Sequence, residues 1–193
     1  MVAIIFIIIG YLVGSINSAI LISKAMKLPD PRTHGSGNAG ATNVLRTSGK
    51  LPAILVLVCD ILKGFLPVLI AGFLNVGGIW LGLVALAAVV GHMFPVFFKF
   101  RGGKGVATAF GGVLALSPWV ALVSMIVWLI VVFVSRYVSL ASLIAVALAT
   151  ILVLFVHLHF FLPIAVMAVL IIWRHMDNID RLRAGTESKI EFK

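Results

Sequence analysis

Charge is what this 193-residue chain has least of. Only 11% of its residues are Asp, Glu, Lys or Arg, where a soluble domain carries about a quarter. Hydrophobic residues make up 62%, the mean hydropathy is +1.22, and apolar runs near twenty residues recur, which is the pattern of a multipass helical membrane protein. The length therefore predicts one compact membrane-embedded domain over 1–193, not two soluble ones. Cysteine is nearly missing too. Cys59, the single one, lies in an apolar run, which excludes an internal disulfide or a Cys-rich metal site and reads as a small core residue. No Cys/His/Asp/Glu set has metal-ligand spacing and no Gly-x-Ser-x-Gly elbow occurs, so no metal and no cofactor is expected. Acidic residues number 6 against 15 basic ones, a net charge of +9. In a soluble protein that excess would suggest nucleic acid; here topology must place it, and no nucleic-acid partner is expected.

The first run, "MVAIIFIIIGYLVGSINSAIL", has neither a basic region before it nor a small-residue cleavage site, so it is expected to be a retained span and not a signal peptide. Seven spans are expected at about 2–23, 51–73, 79–98, 104–117, 118–134, 138–156 and 158–173. The short ones fall below the roughly twenty residues of a straight crossing. Pro118 and "HLHFFLP" divide 104–134 and 138–173 into hairpins, whose helices borrow loop residues or are partly re-entrant. With seven spans, fourteen of the fifteen basic residues fall on one face. They are Lys24, Lys27, Arg32, Arg46, Lys50, Lys99, Arg101, Lys104, Arg136, Arg174, Arg181, Arg183, Lys189 and Lys193. The positive-inside rule makes that face cytoplasmic, with the N-terminus outside and the C-terminus inside. The exception is Lys63, three residues after Asp60 inside the second span. That spacing sets them on one helix face, either as a structural ion pair or with a direct part in binding.

Three polar clusters share the basic face: "HGSGNAGATNVLR" at 34–46, "FRGGKGVAT" at 100–108, and the tail "RHMDNIDRLRAGTESK" at 174–189. Glycines allow successive N–H groups to face one concavity that holds an anion. Lys104 stands where a helix begins, adding a fixed cation to the positive end of its dipole. Arg46 offers a planar fork for phosphate oxygens, and Ser36, Asn38, Thr42 and Asn43 add neutral donors. Gly-Gly-Lys-Gly is not a P-loop, because Gly105 follows the lysine and the glycine spacing is wrong. Taken singly, the first loop reads as a linker and the second as a helix cap. Together on one face they point to phosphate-bearing ligands.

The histidines divide. His157 and His159 read as turn residues at the opposite interface, His92 as either core packing or support for a site, and His34 as either. "HMDNID" spells His-x-x-x-x-Asp, a dyad spacing of another group of phospholipid acyltransferases, but six residues match by chance often.

Four stretches carry a resemblance: "GSGNAGATNVLR", "GHMFPVFFKFRGGKGVATAFG", "RYVSLAS" and "WRHMDNIDRLRAGTESK". In order and spacing, from about Gly14 to Lys189, the chain resembles the PlsY family of bacterial acyl-phosphate:glycerol-3-phosphate acyltransferases. The resemblance implies an all-α integral membrane enzyme of about seven transmembrane helices in the bacterial plasma (inner) membrane, with its active site facing the cytoplasm. Such an enzyme moves a fatty acyl group from acyl phosphate to the 1-hydroxyl of sn-glycerol 3-phosphate, giving lysophosphatidate and inorganic phosphate. Its partners would be those two substrates and the lipid bilayer, with no obligatory protein partner. Ser36 and Arg46 match the first family motif, Gly102 to Gly105 with Lys104 a phosphate-binding loop, and His175, Asn178 and Glu187 the third motif. Ser36, Arg46, Lys104, His175 and Asn178 are thereby catalytic candidates. Gly37, Asn38, Thr42, Asn43, Gly102, Gly103, Gly105, Thr108 and Ser142 are substrate-binding candidates, and Asp60, Lys63 and Glu187 supporting ones. Asn17 in "GSINSA" stands where relatives more often have proline.

Two phosphate-bearing substrates explain cations beside many neutral donors, and an acyl tail explains a membrane protein. Because acyl phosphate is an activated anhydride, neither a metal nor a covalent nucleophile is obligatory, and no base adjacent to Ser36 is visible to make it one. Either His175 or a substrate phosphate oxygen takes the hydroxyl proton. The rivals are a transporter of a phosphorylated solute and a structural or lipid-binding subunit. The first fits poorly with polar clusters at one face instead of the midplane, and the second leaves both glycine-rich loops without a purpose.

Overall fold

The computed structural model describes residues 1–190; Lys193, counted above with the basic tail, lies outside the described residues. Among the described residues every regular element is a helix. The first apolar run forms α1 (Val2–Gly14) and α2 (Ser18–Ala25), bent by 42° at a short break. Asn17 accounts for the restart, because its side chain accepts a hydrogen bond from the Ile20 N–H at 3.2 Å and caps α2. A polar loop leads to α3 (Ala41–Ser48), and α4 (Lys50–Phe73) and α5 (Ile79–Met93) follow. The glycine-rich turn then precedes α6 (Val106–Leu116), which meets α7 (Pro118–Ser135) at Ser117, and α8 is Val138–Val156. Finally α9 (Phe161–Arg174) and α10 (Met176–Arg183) bend by 56° about His175.

By length and composition four helices can cross a membrane, and six if each bent pair is one span. The expected span at 104–117 is cut to the 11 residues of α6, about 16 Å of helix against a hydrocarbon core of about 30 Å. The glycine-rich backbone before it stays irregular at the cavity, as non-helical chain near a membrane must be buried in protein or border an aqueous space.

Close backbone contact builds the bundle. A Cβ on Gly14 would lie 2.1 Å from Ala88 O, and one on Gly91 2.2 Å from Tyr11 O, so α1 and α5 approach closely. Likewise, a Cβ on Gly64 would lie 2.0 Å from Thr108 O and one on Gly111 2.0 Å from Ile61 O, which seals α4 to α6. Lipid offers no hydrophobic gain for helix association, so such small-residue seams let dispersion forces do it. Val68, Val84, Met93, Val113, Val120, Val153 and Ile171 form the core between these pairs and α9.

Cys59 departs from expectation: it is exposed on the outer face of α4, among Leu55, Val58 and Leu62. Hydrophobicity alone does not drive a side chain inward when lipid is as apolar as the core. Asp60 and Lys63 turn inward and pair at 2.7 Å, and Lys63 also donates to Ile16 O at 2.8 Å across the α1–α2 break. His92, on α5, places Nδ1 3.6 Å from Asp60 Oδ1. His157 and His159 flank the turn between α8 and α9.

Candidate active site

The polar loop before α3 is shaped from within. Asn43 donates from Nδ2 to Pro31 O at 2.8 Å and His34 O at 3.0 Å, and its Oδ1 accepts from the Ser36 N–H at 2.9 Å. That uses both amide hydrogens and the carbonyl. Asn43, expected as a substrate donor, instead organises the loop that presents Ser36, Gly37, Asn38 and Thr42. Gly35 and Gly37 take positive φ of 61° and 70° there, a backbone that glycine adopts without strain. Buried Val44 packs α3 against Ala19, Ala53 and Val56, leaving Arg46 on its exposed side.

The glycine-rich turn is gripped from two directions. The Gly103 N–H donates to His92 O at 3.2 Å, while Arg174 donates to Gly102 O at 3.1 Å and Gly103 O at 3.3 Å. A Cβ on Gly103 would lie 2.2 Å from His92 Nε2. Gly103 is therefore packed behind the turn, and its N–H is not aimed at a ligand as expected. Thr108 differs too: it is fully buried at the α4–α6 seam, since Val106, Ala107, Ala109, Phe110 and Val113 take the cavity side of α6.

From this turn Lys104 reaches α10, where Nζ donates to Asn178 Oδ1. Asn178 Nδ2 donates to Glu187 Oε1 at 2.6 Å, which also accepts from Ser139 Oγ at 2.8 Å, and Arg181 Nε donates to Glu187 Oε2 at 2.8 Å. Burial works to raise the Glu187 pKa, but these three donors outweigh it and hold the carboxyl below its ordinary value. Lys104 is lowered to about 8, chiefly by burial and then by Arg181, against the opposing influence of Glu187 and Asp177. His175, at the α9–α10 bend, is buried with Nδ1 2.7 Å from Ile171 O. Burial first, and Lys104 after it, lower its pKa to about 4 against the raising effect of that hydrogen bond. The ring is neutral near pH 7, with Nδ1 carrying the proton it donates to the carbonyl.

The tail completes the wall. Arg46 Nη2 donates to Ser188 O at 3.1 Å, and the Ile190 N–H donates to Arg136 O at 2.9 Å. Asp180 of the His-x-x-x-x-Asp spacing is exposed, 3.9 Å from Arg183, and forms no dyad with His175.

One cavity of about 920 Å³ joins these groups. Its polar end is lined by Ser36, Gly37, Asn38, Thr42, Asn43, Arg46, Gly102, Lys104, Gly105, Arg174, His175, Asn178, Arg181 and Glu187. Asp60 and His92 border it, whereas Lys63 does not. Its apolar end runs between Phe110 and Val113 of α6, Met125 of α7, Val146 of α8 and Met167 of α9. Ser142 lines it as well, but its Oγ donates to Val138 O at 2.8 Å and accepts from Trp128 Nε1 at 3.2 Å. Arg174, Arg181, Ser139 and Trp128 escaped the sequence reading as site residues. The two arginines belong to the polar tail cluster and to the topology charges but carry no site role of their own in the sequence, and Ser139 lies unmarked in "RYVSLAS".

The chain that builds this chamber is similar to known proteins over nearly its whole length. The family model described as Glycerol-3-phosphate acyltransferase matches residues 4–185. The glycerol-3-phosphate acyltransferase of Coxiella burnetii (strain CbuG_Q212) is 52% identical over 190 residues, covering 98% of each chain. That of Proteus mirabilis (strain HI4320) is 51% identical over 187 residues, 97% of this chain and 86% of its own. The crystal structure of PlsY (YgiH), an integral membrane glycerol 3-phosphate acyltransferase, in its glycerol 3-phosphate form superposes with a TM-score of 0.93 at 46% identity, over 98% of this chain and 96% of that one. Its lysophosphatidic acid form gives 0.91 at 45%, over 98% and 95%. The likeness first read from four short motifs thus extends through backbone and sequence alike, and the chain belongs to the glycerol-3-phosphate acyltransferase family.

Proposed function

We propose that this protein transfers a fatty acyl group from acyl phosphate to the 1-hydroxyl of sn-glycerol 3-phosphate, releasing lysophosphatidate and inorganic phosphate. The observation that carries this reading is the continuity of one cavity from Arg46, Lys104 and Arg181 to Val113, Met125 and Val146. Ligands with anionic heads and an alkyl tail use both ends. The solved relatives named for glycerol 3-phosphate and lysophosphatidic acid support it.

In the reaction the 1-hydroxyl oxygen attacks the carbonyl carbon, the new ester bond forms, and the anhydride C–O bond breaks with its electron pair leaving on phosphate. Lys104, held by Asn178, and the Gly102 and Gly105 backbone grip one phosphate; Ser36, Asn38, Thr42 and Arg46 hold the other and aim the hydroxyl. Glu187 fixes Asn178, and Asp60 and Lys63 brace the elements behind the glycine turn. The hydroxyl proton goes to a substrate phosphate oxygen, whose second pKa of about 6 makes it a better acceptor than His175 at about 4. The anhydride is already activated, so the step needs no metal, cofactor or second protein.

Bases from distant parts of the chain meet at one end of the bundle, as the contacts of Arg46 with the tail and of Ile190 with Arg136 illustrate. By the positive-inside rule that end is cytoplasmic. The proposed enzyme is one membrane-embedded domain in the bacterial inner membrane, with its N-terminus outside. Purified protein given labelled glycerol 3-phosphate should form lysophosphatidate with palmitoyl phosphate and none with palmitoyl-CoA. Product from the thioester alone, or solute uptake into vesicles without product, would overturn the reading.

A further inference from the structure

The apolar end of the cavity stops short of the far end of the bundle, and its depth bears on which acyl chains fit. On α8 the lining positions form one stripe from Val138 to Ala149, eleven residues or about 16 Å of helix. That is close to half of a hydrocarbon core about 30 Å thick, the reach of one lipid acyl chain. The stripes on neighbouring helices stop at the same level, at Ala121 of α7, Val113 of α6 and Ile164 of α9. About one turn farther, Leu116, Val153 and Phe160 pack into the core and seal the end. Just above this seal stands Ser124, one turn from Ala121 on the cavity side of α7. Its Oγ is buried and has no hydrogen-bond partner among the described residues. Removing that hydroxyl would take away both its volume and an unpaired dipole beside the floor, leaving room for the end of a longer chain.

We infer that Ser124, with the small floor residues Ala121 and Ala149, forms the stop that sets acyl-chain length. The inference rests on the acyl-donor reading above. The floor is a matter of volume: a larger side chain at 149 shortens the bore. The hydroxyl backs the floor with its volume and its unpaired dipole: its removal lets chains run deeper. The two substitutions therefore act in opposite directions, which a general loss of packing cannot imitate.

The test is kcat/KM across a series of donors from decanoyl to stearoyl phosphate. Ala149→Leu should lower the value for palmitoyl and stearoyl phosphate by at least about tenfold relative to decanoyl phosphate, and Ser124→Ala should raise the relative value for stearoyl phosphate several-fold. The KM for glycerol 3-phosphate should not move in either variant. Wild-type length profiles in both variants, or an equal loss for every donor in Ser124→Ala, would overturn the stop. Should Ala149→Leu fail to fold, Ser124→Ala decides alone, and an unchanged profile there overturns it. If the unaltered protein makes lysophosphatidate from no acyl phosphate, the donor reading falls and takes the stop with it. A working wild-type enzyme with insensitive variants removes only the stop.

Discussion

Raising the pH discharges Lys104, and the rate should follow. Burial and the neighbouring Arg181 lower its pKa to about 8, with Glu187 and Asp177 opposing them. If the charged Nζ grips a substrate phosphate, kcat/KM tracks the protonated fraction of the free enzyme. That fraction is about nine-tenths at pH 7, about half at pH 8 and about one-tenth at pH 9, so the profile falls about tenfold for each unit above pH 8. A bound dianion favours the ammonium form, so the same limb in kcat should lie at higher pH. Glu187→Gln removes a raising charge and leaves Arg181 less opposed, which moves the limb to lower pH. Lys104→Arg carries a guanidinium that does not titrate and should flatten the profile whatever rate remains. Initial rates of lysophosphatidate formation in detergent, from about pH 6 to about pH 10 and corrected for spontaneous donor hydrolysis, supply the data. A wild-type kcat/KM that stays level to about pH 10, or a limb that survives Lys104→Arg, would refute the reasoning.

Other consequences are equally open to measurement. Asp60→Ala leaves Lys63 buried without its 2.7 Å partner and should cost about 3–5 kcal/mol, read as thermal unfolding in detergent; an Asp60→Ala/Lys63→Met double variant should recover much of that loss. Gly64→Ala must push α4 away from Thr108 O and should lower folded yield and Tm sharply, while Gly77→Ala, with nothing within 4 Å of its Cβ, should behave as wild type. His175→Ala should keep appreciable turnover, measured as kcat with labelled glycerol 3-phosphate; loss of kcat with unchanged substrate binding would make the histidine the base after all.

The sequence disclosed the helical membrane fold through hydropathy, and it disclosed the site through three polar clusters too costly to keep near lipid without use. Side-chain direction within those clusters stayed hidden. Asn43 and Thr108 look like donors by residue type, yet one is consumed by its own loop and the other is fully buried where α6 meets α4. Gly103 fills a gap beside His92, a role that depends on how the chain folds back onto the end of α5. Arg174 and Arg181 stood in the polar tail with no role of their own, because the Gly102 and Gly103 carbonyls lie in another segment and Glu187 reaches Arg181 only after the turn that ends α10. The short α6 was read as a longer span, since hydropathy cannot register where a glycine turn stops being helix. Cys59 exposes the same limit: apolarity does not separate core from lipid face.

Whether head groups and acyl chain share one continuous cavity can be read by covalent mapping. A non-hydrolysable acyl phosphonate with a photoreactive diazirine at the chain end would be irradiated on the protein in detergent, and the labelled residues located by mass spectrometry. Labels are expected on Met125, Val146, Ala149 and Met167, competed away by palmitoyl phosphate. Labels confined to outward-facing Leu55, Phe133 and Phe155, or labels indifferent to the competitor, would contradict a shared cavity.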